Sequence, residues 1–249
     1  MSGIQVDIHA KHFPATTGAG LRKVLNALRF SAERGEFLAI VGPSGCGKTT
    51  LLNLIAGLDL AYEGNVELPA ASGKDISAIG YVFQNPRLLP WRTVLENIHL
   101  VLEHPGKKAA IVETLLEEAG LLEFQDAYPG KLSLGQCRRA AIVRAFAPEP
   151  NLLLMDEPFV SLDATTAERL RQLLLRIWQA RPTTVLFVTH DLGEAIALAD
   201  RILVLSDIPA TVVADVSVTI PREKRMDAAL IDEFRRRIPE SRATGPSNS

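Results

Sequence analysis

Short, mostly apolar runs that read as buried strands punctuate the chain at 37–41, 81–83, 152–155, 185–189 and 202–205. Between them, apolar residues recur at helical spacing over 48–56, 93–103, 107–119, 135–147 and 165–179. Strands apolar on both faces and separated by helices predict a parallel sheet covered on both sides, an α/β fold. The first part of the chain reads differently: 4–9, 24–30 and 65–68 read as strands joined by turns, which predicts a small antiparallel sheet beside the main one. From about Pro86 to Ala147 the pattern is almost wholly helical, as expected of a helical subdomain inserted into the α/β core. From Pro239 the chain is polar and rich in Pro, Ser and Gly. The expected organisation is one domain over 1–240 and a frayed tail over 241–249. No internal repeat at solenoid or propeller periods is present.

Composition narrows the class. The 249 residues carry 27 Lys+Arg against 29 Asp+Glu, a formal charge of −2, with 47% hydrophobic and 22% charged residues. That is ordinary globular composition, enough for a sizeable core without disulfide staples. A sequence pI near 6.2 argues against a chain that collects nucleic-acid phosphates through a global basic field. The longest apolar runs, 37–41 and 195–199, fall far short of the roughly 20 residues of a spanning helix. The start alternates Ile4, Val6 and Ile8 around Asp7, so it reads as a strand rather than a signal peptide. Cys46 and Cys137 each sit inside a segment with another task, which fits a reduced, cytosolic chain.

The strongest chemical signal is Gly42-Pro43-Ser44-Gly45-Cys46-Gly47-Lys48-Thr49-Thr50, a G-x-x-x-x-G-K-[ST] pattern between an apolar strand and an apolar-periodic helix. Phosphate oxygens need many donors in a small space. Glycines let the backbone curl so that successive N–H groups point inward at a helix N-terminus, whose dipole favours anions. Lys48 is placed to reach the β- and γ-phosphates of a nucleotide, and the Thr49 hydroxyl to ligate Mg²⁺. A second signal is Leu152-Leu153-Leu154-Met155-Asp156-Glu157-Pro158, which delivers two carboxylates at the C-terminal end of a buried strand. That end faces the ligand crevice in open α/β sheets. Asp156 fits the Mg²⁺-supporting carboxylate of a P-loop NTPase, and Glu157 fits a base for the attacking water. Taken alone, Asp-Glu-Pro reads equally well as a solvated strand end.

With Gln84, Leu132-Ser133-Leu134-Gly135-Gln136, Ser161-Leu162-Asp163 and Thr189-His190-Asp191 added in this order and spacing, the chain resembles the nucleotide-binding subunit of an ABC transporter from about Ile4 to Leu205. The resemblance implies roles. Two such domains pair head to tail, as a homo- or heterodimer, and each ATP lies between one P-loop and the partner's signature segment. Ser133 and the N–H of Gly135, with Leu134 and Gln136 beside them, would act in trans on the partner's γ-phosphate. Gln84 would sense Mg²⁺ and water, His190 would hold the γ-phosphate, and Asp163 would couple the two sites. Phe13 is the best match to the aromatic residue that stacks on adenine. Each has a plainer alternative: Gln84 ending its strand, His190 capping a helix, Phe13 in the core. The basic pair Arg138–Arg139 and the basic run Arg235–Arg237 read as solvated faces.

One departure stands out: the family has two glycines after the signature serine, and here the first is Leu134. If that backbone needs a positive φ, leucine strains it and slows hydrolysis.

The segment Leu88-Leu89-Pro90-Trp91, with 205–209 and 220–222, resembles the nitrate, sulfonate and taurine importers of bacteria. This implies an ATPase subunit using ATP and Mg²⁺, peripheral on the cytoplasmic face of the bacterial inner membrane. It would contact transmembrane permease subunits and, through them, serve an extracytoplasmic substrate-binding protein, with no nucleic acid. Leu88, Leu89 and Trp91 would form an apolar docking patch, or else fold back into the helical subdomain. Two other readings compete: a soluble ABC-type ATPase of DNA repair or translation, and a lipid or lipoprotein exporter. The stretch from Lys48 to Ser133 is too short for the long coiled coil of the repair relatives, and one ATPase domain is fewer than translation relatives carry.

Overall fold

The computed structural model describes residues 3–15, 20–68, 79–225 and 227–239. In chain order the elements are β1 (Ile4–Pro14), β2 (Leu21–Ala32), β3 (Phe37–Val41), α1 (Lys48–Ile55), β4 (Glu63–Glu67), β5 (Ile79–Val82), α2 (Val94–His99), α3 (Ala109–Glu118), α4 (Leu134–Phe146), β6 (Leu152–Asp156), α5 (Ala164–Ala180), β7 (Thr184–Thr189), α6 (Leu192–Leu198), β8 (Arg201–Leu205), β9 (Val212–Ser217) and α7 (Ala228–Arg235). They fall into two compact units, one of residues 1–70 with 184–249 and one of residues 71–183.

In the first unit, β1 lies antiparallel between β2 and β4, the small sheet that the alternation predicts. Beside this sheet's sequence, β3 pairs in parallel with β7 on one side and β8 on the other. All five residues of β3 and all six of β7 are buried, as strands covered on both faces must be. Phe37 and Phe187 meet edge to face at 6.1 Å, a favourable quadrupole geometry, in this core. β9 adds an antiparallel edge to β8, and its half-buried, half-exposed alternation marks a one-sided strand. β9, α6 and α7 are absent from the expected elements; the caps Asp191 and Asp227, each accepting two backbone N–H bonds, were the signals available.

In the second unit, β5 and β6 run parallel. Between them the described chain holds α2, α3, α4 and short 3₁₀ turns, the helical stretch the pattern calls for. α2 is shorter than 93–103. A Thr93/Glu96 capping box starts it, but the chain leaves the helix at Leu100, and His104 before Pro105 is extended because proline disfavours helical backbone in the preceding residue. Among the described residues no helix is long and apolar enough to cross a membrane. The tail at 241–249 lies outside the described residues.

Candidate functional site

In the first unit, β3 ends at Val41 and the chain turns through Gly42–Gly47 into α1. Gly45 and Gly47 sit at φ +77 and +111, conformations that side-chain-bearing residues avoid. Gly47 also has no room for a β-carbon, which would lie 2.9 Å from both Val24 and Leu25 of β2. Nothing lies within 4 Å of where a Gly45 β-carbon would be, so the tip of the loop is open. α1 begins with no side-chain cap and no acidic residue in its first turn, leaving its N-terminal N–H groups and positive dipole end to the loop. The buried Lys48 folds back along the loop, its Nζ donating to the Gly42 and Pro43 carbonyls at 2.8 Å each. Ser44 and Thr49 are exposed and Thr50 half-buried. Cys46 is buried, and burial pushes its thiol up, only partly offset by the Lys48 charge, so it packs as a neutral group.

Two more expected residues join this loop. The β3–β7 register pairs Val41 with Thr189, so Gly42 and the exposed His190 are the next residues at neighbouring strand ends. That is the C-terminal edge where parallel sheets bind ligands. Asp191 then caps α6, and the Thr189 hydroxyl donates to Glu194 at 2.7 Å, which fixes the turn around His190. Phe13, part-exposed at the end of β1, pairs with Arg22 of β2, two residues before the Val24 that touches Gly47. A part-exposed aromatic ring and the glycine-rich loop thus both lie against β2. The donor set fits a nucleotide polyphosphate.

The second unit assembles the remaining residues. Val82 of β5 pairs with Met155 of β6, so the strand ends leading to Gln84 and Glu157 run side by side. Asp156 is buried, and Gln84 is exposed. Glu157 has φ +44, a left-handed conformation unusual for a side-chain-bearing residue and the kind of strain that collects at functional turns. Burial, and then the Asp156 charge, push the Tyr81 hydroxyl well above its ordinary range. Ser133 opens α4 with a capping box: its hydroxyl accepts from Gln136 N while the Gln136 side chain accepts from Ser133 N. Gly135 is required by packing, since a β-carbon there would meet Thr166 at 2.9 Å. Asp163 caps α5 through the Thr166 N–H, and hydrogen bonding at Thr166 holds its carboxyl below the usual range.

A model of the ABC transporter family matches residues 25–160. The chain belongs to the ABC transporter family. Aliphatic sulfonates import ATP-binding proteins of Bacillus cereus and Burkholderia cenocepacia are 38% and 42% identical to it, covering 94% and 87% of this chain and 94% and 84% of their own. An uncharacterised ABC transporter ATP-binding protein of Methanocaldococcus jannaschii is 42% identical over 87% of this chain and 83% of its own. Among solved structures, a dimeric ATP-binding cassette in a post-hydrolysis state with ADP and Pi is 31% identical, with a TM-score of 0.74 over 88% of this chain and all of that one. This ABC protein binds ATP and hydrolyses it.

Two expectations about its signature segment are corrected. Leu134 is the first residue of α4 and is absent from the positive-φ positions, so leucine brings no backbone strain; its side chain is 49% exposed. Arg138 and Arg139 are not a solvated face. Arg138 is only 7% exposed, and its guanidinium donates to the Pro158 carbonyl, just after Glu157. Arg139 is half-buried and donates to the Ala119 carbonyl. Burial lowers the Arg138 pKa, no carboxylate pairs with it among the described residues, and its Nε has no hydrogen-bond partner. A helix must pass close to the β6 turn for an arginine to be worth burying there.

The sequence reading also missed Asn97 and Arg144. Asn97, fully buried in α2, accepts from Leu89 N at 2.7 Å and donates to the carbonyls of Leu89, Arg92 and Thr93. Arg144 of α4 donates to the carbonyls of Pro86 and Arg87. Together they fix the loop that follows Gln84. An asparagine on the apolar stripe between Val94 and Ile98 was the available signal. Trp91 does not fold back into the helices: it is 68% exposed, with Leu88 and Leu89 half-buried. Nearby, a groove of about 340 Å³ is lined by Tyr81, Phe83, Arg87, Leu89, Leu100 and Val101. The Tyr81 and Phe83 rings stack at 4.0 Å, and Arg87 lies 4.1 Å over Phe83.

Proposed function

We propose that this ATPase subunit energises uptake of a small anionic solute of the sulfonate class, working on the inner face of a bacterial plasma membrane. It pairs with a second ATPase subunit, identical or not, and docks on transmembrane permease subunits that receive solute from an extracytoplasmic binding protein. The relatives' names support the solute class. The observation that carries the docking is the exposed Trp91 on a loop fastened by Asn97 immediately after Gln84. An aromatic held rigid in water beside an apolar groove suits a partner surface.

The residues divide the chemistry. The loop Gly42, Pro43, Ser44, Gly45, Cys46 and Gly47, with Lys48, Thr49 and Thr50, holds the triphosphate, and Phe13 stacks on adenine. Thr49, Gln84 and Asp156 would hold Mg²⁺, which would supply charge neutralisation to the bound phosphates. Glu157 takes the proton of the attacking water, Gln84 orients that water, and His190 donates to the γ-phosphate. On the partner's nucleotide, Ser133 and the N–H of Gly135, with Leu134 and Gln136 beside them, present the positive end of α4, and Asp163 links the two sites. Little covalent chemistry is asked of the protein; positioning and charge stabilisation carry the rate. Closure of two subunits on two ATP draws the Gln84 loops together and, through the Trp91 patch, switches the permease.

The test is a pull-down of tagged Glu157→Gln protein from gently solubilised membranes with ATP and Mg²⁺. The variant is expected to bind ATP and stay dimeric while hydrolysing it at least about 100-fold more slowly. Co-purification of a multi-span permease whose cells lose sulfonate uptake without it supports the reading. Recovery of ribosomal or DNA-associated proteins alone overturns it.

A further inference from the structure

Lys11 is a charged residue inside the small sheet, with no part in the phosphate chemistry. β1 buries alternate residues, Ile4, Val6, Ile8 and Ala10, until its register against β2 shifts between Lys11 and His12. Lys11 follows Ala10 into the interior out of turn, and only 2% of it is exposed. Bulges re-aim side chains, and this one places Lys11 and Phe13, two residues apart, together: the Lys11 Nζ lies 4.6 Å from the Phe13 ring centroid.

The same ammonium has two further partners. It pairs with Asp59 Oδ2 at 2.6 Å and donates to the Ala61 carbonyl at 2.8 Å. The other carboxylate oxygen of Asp59 accepts from Ala61 N at 2.9 Å, closing the turn on itself. That turn is the exit of α1: Leu58 N and Asp59 N both donate to Asn53 within the helix. The entrance of α1 is the phosphate loop. One buried cation therefore ties the Phe13 ring to the far end of the helix whose near end meets phosphate. No polar group is spent on burying a lysine without need, because the cost of desolvating its charge is large.

We propose that Lys11 is a positioning residue for the nucleobase: it braces the Phe13 platform against α1 and thereby fixes the spacing between base and phosphate sites. The proposal rests on the reading of Phe13 as the adenine platform. Lys11 touches no part of the nucleotide itself. Its effect is confined to ligands that carry a base.

The experiment compares ATP with inorganic tripolyphosphate, which offers the same phosphates and no base, on the full chain and on Lys11→Met, Asp59→Asn and Phe13→Ala. Lys11→Met is expected to weaken ATP about fivefold while tripolyphosphate affinity stays within about twofold. Asp59→Asn, which keeps the lysine and tolerates folding at its part-exposed site, is expected to weaken ATP selectively by about threefold. Equal loss for both ligands, or no loss for either, overturns the brace. If Phe13→Ala leaves ATP affinity unchanged, the platform reading itself falls, and the brace with it. If Phe13→Ala weakens ATP selectively while Lys11→Met and Asp59→Asn do not, only the brace falls.

Discussion

The phosphate loop at 42–47 and the loop at 84–93 are both short, both follow a strand with a parallel partner and both precede a helix, yet they are shaped by opposite means. The first is shaped by what its residues lack. Gly45 and Gly47 take backbone angles closed to other residues, and α1 starts with no side-chain cap and no acidic residue in its first turn, so the positive end of its dipole faces the loop. The second is shaped by side chains reaching in from elsewhere. Asn97 accepts one hydrogen bond from Leu89 N and donates to three carbonyls of 89–93, and Arg144 donates to the carbonyls of 86 and 87. A loop that must wrap an anion exposes its backbone N–H groups. The second loop has its backbone held by side chains and leaves Trp91 exposed, as the proposed docking requires. The difference is the one expected between a site for a small polar ligand and the proposed site for a protein surface.

The sharpest way to break the comparison is to add one methyl group to the first loop. Gly47→Ala forces a β-carbon onto Val24 and Leu25 at φ +111, and is expected to abolish ATP binding while lowering stability by about 2–3 kcal/mol. Titration with ATP and thermal unfolding check both; retained affinity shows that the left-handed turn is not what shapes the site. Next is Asn97→Ala, which removes four part-buried hydrogen bonds and takes their side-chain partner from Leu89 N and the Arg92 carbonyl. It is expected to cost about 2–4 kcal/mol in unfolding free energy, with ATP affinity kept. A loss below 1 kcal/mol in denaturant melts, roughly the worth of one ordinary hydrogen bond, would mean that the loop is held by something else. The smallest effect belongs to Leu134→Gly. Since Leu134 carries no positive φ, releasing it is expected to change stability by less than about 1 kcal/mol and ATP turnover by less than about twofold. A much faster variant would restore the idea that this leucine slows hydrolysis.

The same contrast governs what was legible in the sequence. The phosphate loop was readable because glycine spacing between a strand and a helix is itself the cause of the geometry. Buried strands such as Phe37–Val41 and Leu152–Asp156 were readable because unbroken apolar runs have few other uses. Asn97, Arg138 and Arg144 were not readable. Their partners are backbone carbonyls, which every residue supplies, so no complementary residue type announces the contact. Arg138 and Arg139 looked solvated because a basic pair on a helix usually is, and only the approach of α4 to Pro158 shows otherwise. β9 was missed because a one-sided edge strand at Val212–Ser217 buries too little to make an apolar run. Leu134 misled in the other direction: a missing glycine suggested strain where the chain is simply entering a helix.

The measurement that bears most directly on the account is ATP turnover by the assembled complex carrying Trp91→Ala, with and without solute-loaded binding protein. Trp91 is exposed, so its removal is expected to leave unfolding free energy within about 0.5 kcal/mol. The account predicts that turnover without solute is kept while stimulation by solute and transport are lost or cut at least about tenfold. Full stimulation in a folded, assembled Trp91→Ala complex would contradict it, because the loop held out by Asn97 would then not be the path from nucleotide to permease.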